Sequence, residues 1–432
     1  MEKLLILGIN TRAIVNSALK LGYITFSGSY FSTLDFKTPY LEKHILKQIN
    51  EKSCDYFEKN YSYEKLLEIS EEMMNEVDYI VLSTGISPID FKGKFKKYKK
   101  KIIGNHNTKN VEDKFKFYKK IKNKFLTPKT FKVNYENIYE AMEIAKQHDD
   151  KEFIIKPLQG SGGYGVKYLN YRRNNEFKAM NFNSQYSNHE DSNLLNLQNQ
   201  YFNQKDSDFL VQEFIPGENI SSSILGVKNE AKAVINSKML TEADFGIKNS
   251  FKYCGNIAPL DINILNLFNN DNRHNPSQKK ILNINNINEV SEKLIANFKL
   301  LGSNGVDMII NNNSIYIIEI NPRFQGTYEL VENLLNINLL EAHIKACNNE
   351  LVNIPKPEGY SIKKIIFSKE KSMIGNLSFE NVYDVPYEGV IIEKNQPLAT
   401  VIAHENEINQ AIIKLGIVTK NIEERITLMN SK

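Results

Sequence analysis

Cysteine is scarce in this sequence, and long apolar runs are missing from it. The three cysteines, Cys54, Cys254 and Cys347, are far apart, so they offer neither a disulfide framework nor a CxxC metal pair. This usage favours a reducing compartment, and we expect a cytoplasmic protein. The N-terminal apolar run is too short for the core of a signal peptide, and no later run approaches the ~18 apolar residues that cross a bilayer. We therefore predict no membrane partner.

Several well-known catalytic motifs are also missing. The first turn, GINTRA at 8–13, lacks two glycines of the GxGxxG fingerprint, which argues against a nicotinamide-binding protein. No GxSxG, papain-type cysteine signature or HExxH occurs, so serine, cysteine and zinc hydrolases are disfavoured. The seven histidines are scattered, and we interpret His343 as a packing or surface residue.

The composition is that of a globular chain. The 432 residues are 41% hydrophobic and 25% charged, which predicts two to four domains. Lysine is concentrated between Lys92 and Lys124, where fourteen lysines face only two acids, Glu112 and Asp113. Such a stretch would suit nucleic acid, but a solvated segment in a lysine-rich chain is the favoured interpretation. We predict no nucleic-acid partner.

The order of apolar runs predicts three units. Residues 3–30 read as β-α-β, the opening of a parallel sheet, and short runs at 78–84 and 101–104 predict two more strands. The expected division is an α/β unit at 1–105, a larger unit at 106–350 and a small β-rich module at 351–432. Asparagine-rich stretches near 170–208 and 261–290 are expected to be mobile surface insertions.

A glycine-rich loop follows a predicted strand at FIIKPLQGSGGYGV, residues 153–166. Lys156 stands at the end of the strand, and glycines follow at 160, 162, 163 and 165. Glycine lets backbone N–H groups converge on an anion, and the lysine adds a point charge suited to phosphate. The sequence is not a Walker A loop, because GxxxxGK[ST] is absent. We predict a flap over a triphosphate.

A second motif is the apolar pair VDMII and IYIIEI, joined by NNNS. A hairpin here should bring Asp307 near Glu319, and Asn321 should share the face of Glu319. Three oxygen donors on one surface suit Mg²⁺ held jointly with substrate phosphates. Arg323 follows on the same side and could grip a phosphoryl group or a carboxylate.

Two weaker signals complete the set. The strand DFLVQEF ends at a Pro-Gly turn, where backbone groups could pair with an adenine edge while Phe214 and Ile215 contact its faces. Lys114 follows Asp113 before a helical run and could be a second cation directed at phosphate.

In this order, the motifs resemble those of the ATP-grasp superfamily of ligases. They are DK at 113–114, TPKT at 127–130, IIKPLQGSGGYGV at 154–166, VQEFIPGE at 211–218 and VDMII with IIEINPR at 307–323. The resemblance implies an α/β (α+β) chain with an ATP-grasp fold, a Rossmann-like pre-ATP-grasp domain before it and a small C-terminal β-rich module. More narrowly, FKYCGNIAP and the biotin-carboxylase-like tail DVPYEGVIIEKNQPLATVIAH look like those of archaeal-type predicted ATP-dependent carboligases.

The resemblance also implies a role for each matching residue. Lys114 and Lys156 would bind ATP phosphates beneath the loop of Gly160, Ser161, Gly162 and Gly163. Gln212, Glu213, Phe214 and Ile215 would line adenine, with Glu218 or Asn219 near the ribose. Asp307, Glu319 and Asn321 would hold one or two Mg²⁺ ions, with Mn²⁺ as a substitute, and Arg323 would stabilise the transferred phosphate. The sequence departs from many relatives at Gln212 and Asn219, where those relatives carry acids.

The implied reaction is phosphorylation of a small-molecule carboxylate by ATP, followed by attack of an amine, a thiol or a similar nucleophile. Two alternatives stay open: a bicarbonate-using carboxylase-type enzyme and a non-catalytic nucleotide-binding protein. The oligomeric state stays open as well, with a homodimer as one alternative, because related enzymes often dimerise. The identity of the carboxylate and of the nucleophile does not follow from the sequence.

Overall fold

The computed structural model of the chain describes residues 1–36, 40–134, 138–148, 150–158, 160, 162–169, 208–267 and 283–429. Ser161 lies outside these residues, as do 170–207 and 268–282, which make up much of the two asparagine-rich stretches. The predictions made for them therefore have no structural counterpart.

The N-terminal unit is built on a parallel sheet with the strand order β3-β2-β1-β4. The apolar run KLLILG forms its central strand because both faces are covered: Leu5 and Leu7 pack on one side and Leu4 and Ile6 on the other. The elements of this unit are β1 (Lys3–Gly8), α1 (Arg12–Lys20), β2 (Ile24–Phe31), β3 (Leu41–Leu46), α2 (Phe57–Asn60), α3 (Tyr63–Glu76) and β4 (Tyr79–Leu82).

The strand predicted at 101–104 was wrong. Only Ile102 pairs there, through a single parallel bridge to Ile80, because Gly93–Lys101 forms a 3₁₀ helix. The Lys101 ammonium donates to the carbonyl oxygens of Met74, at 2.9 Å, and Val77, at 2.6 Å, so it closes the C-terminal end of α3. Part of the lysine-rich stretch therefore has a structural role.

A smaller antiparallel sheet with the order β5-β8-β6-β7 follows. Phe153, Val211 and Phe209 fill its core against α6. The elements of this lobe are β5 (Thr130–Asn134), α6 (Ile138–Gln147), β6 (Phe153–Pro157), β7 (Lys167–Leu169) and β8 (Asp208–Glu213). The two helices that precede it, α4 (Lys109–Glu112) and α5 (Lys114–Ile121), pack in the core of the large sheet described next.

The rest of the chain forms an eight-stranded antiparallel sheet in the order β13-β12-β9-β10-β11-β14-β18-β16. A three-stranded sheet, β17-β15-β19, lies beside it. The elements are β9 (Glu218–Gly226), β10 (Ala231–Thr241), β11 (Tyr253–Ala258), α7 (Ile262–Leu267), α8 (Ile284–Phe298), β12 (Gly302–Asn311), β13 (Ser314–Asn321), α9 (Tyr328–Leu335), α10 (Leu339–Cys347), β14 (Tyr360–Phe367), β15 (Ser372–Ile374), β16 (Val382–Tyr383), β17 (Ile391–Ile392), β18 (Pro397–Glu405), α11 (Ile408–Glu423) and β19 (Ile426–Leu428).

The C-terminal segment is β-rich, as predicted, and three of its strands extend the large sheet beyond β11. The helix α11 packs on β14 and β18 through Ala411, Leu415 and Ile422. The mixed α/β class with the expected N-terminal Rossmann-like sheet is confirmed, whereas the division at residues 105 and 350 stays a prediction.

In the part of the chain that the structure describes, no helix combines the length and the apolarity needed to cross a bilayer.

Candidate active site

One cavity of about 2030 Å³ lies between the β5-β8-β6-β7 sheet, the eight-stranded sheet and the N-terminal unit. Its wall includes every predicted site residue that the structure describes: Lys114, Lys156, Gly160, Gly162, Gly163, Gln212, Glu213, Phe214, Ile215, Glu218, Asp307, Glu319, Asn321 and Arg323. Small-molecule sites usually measure about 300–1,000 Å³. The cavity can therefore hold more than one ligand.

Two lysines converge at one end of this cavity. Lys114 is the first residue of α5, and its ammonium donates to the carbonyl oxygen of Gly160 at 2.9 Å and lies 3.6 Å from Glu319 Oε2. Lys156 on β6 is 5% exposed, and its Nζ lies 3.4 Å from Gln212 Oε1. Burial, assisted by the like charge of Lys114, lowers the pKa of Lys156 to about 8. The pair forms a positive corner suited to an anion.

The glycine-rich loop docks on the start of β11. Its glycines at 160, 162, 163 and 165 all have positive φ. A Cβ at Gly163 would lie 1.8 Å from the carbonyl oxygen of Phe251, and the Tyr253 N–H donates to the carbonyl oxygen of Gly162 at 2.9 Å. Because the backbone of the loop contacts the backbone of Phe251 here, a side chain at Gly163 would displace the loop from β11.

Asp307 and Glu319 face each other across the β12–β13 hairpin, as the sequence predicted. Asp307 accepts hydrogen bonds from Ser221 Oγ at 2.7 Å and from Asn321 Nδ2 at 2.9 Å. Burial, followed by the charge of Glu319, raises the pKa of Asp307. Burial alone would also raise the pKa of Glu319, but Lys114 and Lys156, among other cations, lower it.

These side chains fit a divalent cation. Two carboxylates and an amide present only oxygen ligands, and a cation between the carboxylates would relieve the repulsion that raises the pKa of Asp307. Within the described ranges, no group of three or more His, Cys, Asp or Glu side chains could hold a metal ion. Two carboxylates leave most of an octahedral shell open, which suits Mg²⁺ shared with phosphate oxygens.

Arg323 follows β13 and points into the same cavity. Its backbone N–H donates to the Asn321 carbonyl oxygen at 2.9 Å, and the next residue, Phe324, is 2% exposed and packs on Tyr328. The segment is therefore anchored on both sides of the arginine. This places the guanidinium close to the two carboxylates, and its positive charge acts to lower the pKa of both Asp307 and Glu319.

An aromatic cluster forms another part of the wall. Phe214 lies 5.0 Å from Tyr168 and 6.3 Å from Phe251 between ring centroids, and Tyr168 lies 4.9 Å from Phe251. Ile215 beside it is 5% exposed. Planar ligands pack well on such surfaces.

Three predicted side chains already have protein partners. The Gln212 amide donates to Thr130 Oγ1 at 2.9 Å. The Glu213 carboxylate accepts from the Lys129 N–H at 3.0 Å and pairs with Lys151. The Glu213 N–H donates to the Lys129 carbonyl oxygen at 2.8 Å, so the Glu213 carbonyl oxygen is the group that could contact a ligand.

Glu218 accepts from Lys238 Nζ at 2.8 Å, and Lys238 also lies 3.2 Å from Asp244. A ribose hydroxyl at Glu218 would therefore join an existing ion-pair network.

Four residues of the site were not predicted from the sequence: Ser221, Tyr168, Phe251 and Lys238. Ser221 meets Asp307 only because β9 pairs with β12, a contact between segments 86 residues apart. Tyr168 and Phe251 could have been predicted as site residues, since both lie beside motifs that were recognised in the sequence. Lys238 had none.

The sequence pattern of the ATP-grasp domain matches residues 111–327. An uncharacterized protein of Methanocaldococcus jannaschii is 32% identical over 409 residues, which cover 94% of this chain and 88% of that protein. The chain therefore belongs to the ATP-grasp family of ATP-dependent ligases.

The chain is also similar to one further sequence relative and to solved structures of other enzymes. Tyramine–L-glutamate ligase of the same organism is 28% identical over 265 residues, or 61% of this chain and 63% of that enzyme. Biotin carboxylase of Campylobacter jejuni in complex with an ATP analogue has a TM-score of 0.69 at 15% identity, covering 99% of this chain and 92% of that one. N5-carboxyaminoimidazole ribonucleotide synthetase of Thermotoga maritima has a TM-score of 0.60 at 14% identity, covering 99% and 100%. At such identities the two structures establish the fold.

Proposed function

We propose that the protein is an ATP- and Mg²⁺-dependent ligase. It phosphorylates a small-molecule carboxylate and joins the acylphosphate to an amine or a similar nucleophile, with release of ADP and phosphate. The observation that carries this proposal is the convergence of Lys114, Lys156, Arg323 and the Asp307–Glu319 pair on one cavity. A protein that only binds a nucleotide has no need of an arginine beside the metal-binding carboxylates.

The charges suit phosphoryl transfer, which depends mainly on positioning and on neutralisation of the transferred group. Lys114 and Lys156 would hold the ATP phosphates under the glycine-rich loop. The oxygens of Asp307, Glu319 and Asn321 would hold Mg²⁺, which supplies positive charge between the phosphates. Arg323 would contact the phosphoryl group as it moves to the acceptor.

The nucleotide base would lie against Phe214 and Ile215, where the aromatic cluster supplies a packing surface. Main-chain groups of Glu213 and Ile215 would read its edge. The side chains of Gln212 and Glu218, which are held by Thr130 and Lys238, would support these contacts.

Two features support a carboxylate–amine ligase in particular. The cavity exceeds the volume that a nucleotide needs, so an acceptor can bind beside ATP. A relative at 28% identity is a tyramine–L-glutamate ligase, whose name denotes the joining of an amine to an amino acid.

Removal of the two carboxylates tests this function. Replacing Asp307 by Asn together with Glu319 by Gln keeps the shape of both side chains but removes the charge that would hold Mg²⁺. We expect ATP-dependent phosphate release, measured with pooled carboxylates and amines, to fall by about 10²-fold or more. Circular dichroism should show an unchanged fold.

The matched control replaces the exposed carboxylates Glu370 and Glu423 by Gln, and it should retain full activity. An active Asp307→Asn/Glu319→Gln variant would contradict the metal assignment. Turnover with bicarbonate as the sole carboxylate would instead favour the carboxylase-type reaction.

We place this enzyme in the cytoplasm. Cys54, Cys254 and Cys347 carry free thiols, which suits a reducing compartment. A small-molecule carboxylate and a small nucleophile are its proposed partners.

A further inference from the structure

The cavity wall also includes residues of the N-terminal unit and, from the C-terminal segment, Phe367, Pro386 and Leu398. The two segments meet there, since the Phe57 N–H donates to Gln396 Oε1 at 2.9 Å. Because the whole cavity is about 2030 Å³, roughly twice the upper range for a small-molecule site, it is large enough for a second substrate beside a nucleotide.

Three aromatic rings of the N-terminal unit lie together in the cavity wall. Phe57 stacks on Tyr61 at 5.0 Å between ring centroids, and Tyr30 meets them edge-on at 4.9 and 5.9 Å. Tyr30 is 5% exposed, whereas Phe57 and Tyr61 are half-buried and line the cavity. The wall therefore presents ring surface to a ligand.

Contacts within the protein hold the Tyr61 ring in place. The Tyr61 hydroxyl donates to the carbonyl oxygen of Gly85 at 2.6 Å. Gly85 has a φ of +96°, and a Cβ there would lie 2.5 Å from Ile9 and 2.7 Å from the Tyr61 hydroxyl. A ring fixed in this way loses little side-chain freedom when a ligand packs on it.

A carboxylate lies close to the fixed ring. The Asp90 carboxylate accepts from the Ser87 N–H at 2.8 Å. Ser87 lies two residues after Gly85, whose carbonyl oxygen accepts from the Tyr61 hydroxyl. Burial above all raises the pKa of Asp90 to about 6. Asp55 and Glu58 also line the cavity, so three carboxylates, with Asp90, stand against the cations Lys92 and Arg323.

We propose that this aromatic wall and Asp90 form the subsite of the nucleophile, and that the subsite takes a primary amine carried on an aromatic ring. The inference rests on the proposed ligase function. The ring of the amine packs against Phe57 and Tyr61, and its ammonium group pairs with Asp90. Arg323, which lines the same cavity, contacts the acylphosphate.

The chemistry balances with the groups present. An ammonium that loses a proton becomes a nucleophile, and its lone pair forms a C–N bond at the acyl carbon. The C–O bond to the phosphate breaks, and phosphate leaves with the electron pair. Asp90 accepts the first proton from the ammonium group, which a buried carboxylate with a raised pKa does more readily than an exposed one. The second proton, which the nitrogen loses as the amide forms, leaves on the departing phosphate.

Binding tests this subsite without turnover. With Mg²⁺ and a non-hydrolysable ATP analogue present, isothermal calorimetry compares 2-phenylethylamine, n-butylamine and 3-phenylpropionate. We expect 2-phenylethylamine to bind at least tenfold more tightly than either of the others, because only it has both the ring and the cation. Equal affinities, or preference for the carboxylate, would overturn the proposal.

Variants divide the two contributions. Phe57→Leu should weaken 2-phenylethylamine by about five- to tenfold and leave n-butylamine unchanged, in keeping with the worth of an aromatic pair. Asp90→Asn should weaken both amines. Tyr40→Leu is the matched control, since Tyr40 is 55% exposed and lies outside the cavity wall.

The two proposals fail in different ways. Selective amine binding without ADP formation would contradict the ligase function and leave the subsite intact. ADP-forming ligation that favours aliphatic amines, or a Phe57→Leu variant with undiminished affinity, would contradict the subsite and leave the ligase function intact.

Discussion

Lys156 is an ammonium group held where water scarcely reaches it. Burial and the neighbouring Lys114 lower its pKa to about 8, against about 10.4 for a free lysine. In the empty site it therefore loses its proton as the pH rises through 8, and an incoming phosphate should restore that proton. ATP affinity should be highest below pH 8.

We predict proton uptake when Mg²⁺-ATP binds at pH 8–9. Calorimetry in two buffers of different ionisation enthalpy measures it directly. The Lys156→Met variant should take up no proton, and its binding of ATP should weaken by about 1.5–3 kcal/mol, the usual range for a charged hydrogen bond.

Lys414, which pairs with Glu405 at 2.8 Å outside the cavity wall, provides the control, and its Met variant should behave as the wild type does. An affinity independent of pH between 7 and 9.5 would show that Lys156 does not contact the phosphates.

At this scale the sequence indicates residues that belong to one contiguous motif. Lys156 and the glycines after it could be predicted because strand, charge and loop follow one another within 153–166. The Lys238–Glu218 pair could not, because it lies across β9 and β10, where a bulge between Ala233 and Ile235 shifts the register. A shift of one residue reverses which face a side chain occupies.

At the scale of the elements, the imidazole of His343 connects α10 to two other parts of the chain. His343 Nδ1 accepts from the Ser303 N–H at 2.8 Å, and Nε2 lies 3.2 Å from the Ile103 carbonyl oxygen, to which it donates in the neutral tautomer. Gly302, at a φ of +66°, admits the ring: a Cβ there would lie 2.4 Å from Nδ1. The side chain thus joins α10, β12 and the end of the N-terminal unit.

Burial lowers the pKa of His343 to about 4, below its unfolded value near 6.5. The unfolded chain therefore binds more protons than the folded one between these values, and stability falls as the pH drops from 6.5 to 4. We predict a loss of up to about 3 kcal/mol from this group, at 1.36 kcal/mol per unit. Urea unfolding at pH 7 and at pH 4.5 measures it.

The His343→Gln variant should start less stable at pH 7, since Gln cannot reproduce both bonds in the same place, but should lose less stability on acidification. Equal pH slopes in the two proteins would show that another group titrates.

The strands show where prediction works for elements. The hairpin that brings Asp307 opposite Glu319 could be predicted, because two apolar runs flank a four-residue turn. The strand β3 was missed because LEKHIL mixes apolar with charged residues and pairs along one edge of its sheet only. The run KIIG was apolar enough for a strand but too short to continue past one bridge.

Across the whole molecule, Arg12 joins three parts of the chain. This buried guanidinium donates to Asp384 at 2.8 Å and to Glu329 at 2.6 Å, and it lies 3.1 Å from Asp35. Lys363 pairs with Glu329 at 2.7 Å. Burial alone would lower the pKa of Arg12, but the carboxylates raise it well above its usual value.

We predict that Arg12→Met lowers the free energy of unfolding by about 3–5 kcal/mol, because it leaves buried carboxylates without their shared cation. Chemical denaturation measures the change. Lys369→Met breaks an exposed pair with Glu423 and should leave stability nearly unchanged. Similar effects of the two substitutions would contradict a stabilising role of the Arg12 network.

The Arg12 network could not be predicted from the sequence. Arg12 and Asp384 are 372 residues apart, and nothing near either residue marks the other as its partner. What could be predicted at this scale was the order of the units, because each unit carries its own pattern of apolar runs.

The continuity of the large sheet limits how this protein can be recombined with its relatives. The strand β11 is paired on both sides, with β10 and with β14, and β14 belongs to the last eighty residues. A chain ended at residue 350 would leave β11 with a bare row of N–H and C=O groups, and such an edge recruits other strands. The C-terminal segment therefore cannot be exchanged by itself without breaking the large sheet. A chimera that keeps the sheet intact must exchange residues 218–429 as one piece, and the point of exchange lies between β8 and β9, where the chain passes from the β5-β8-β6-β7 sheet into the large sheet.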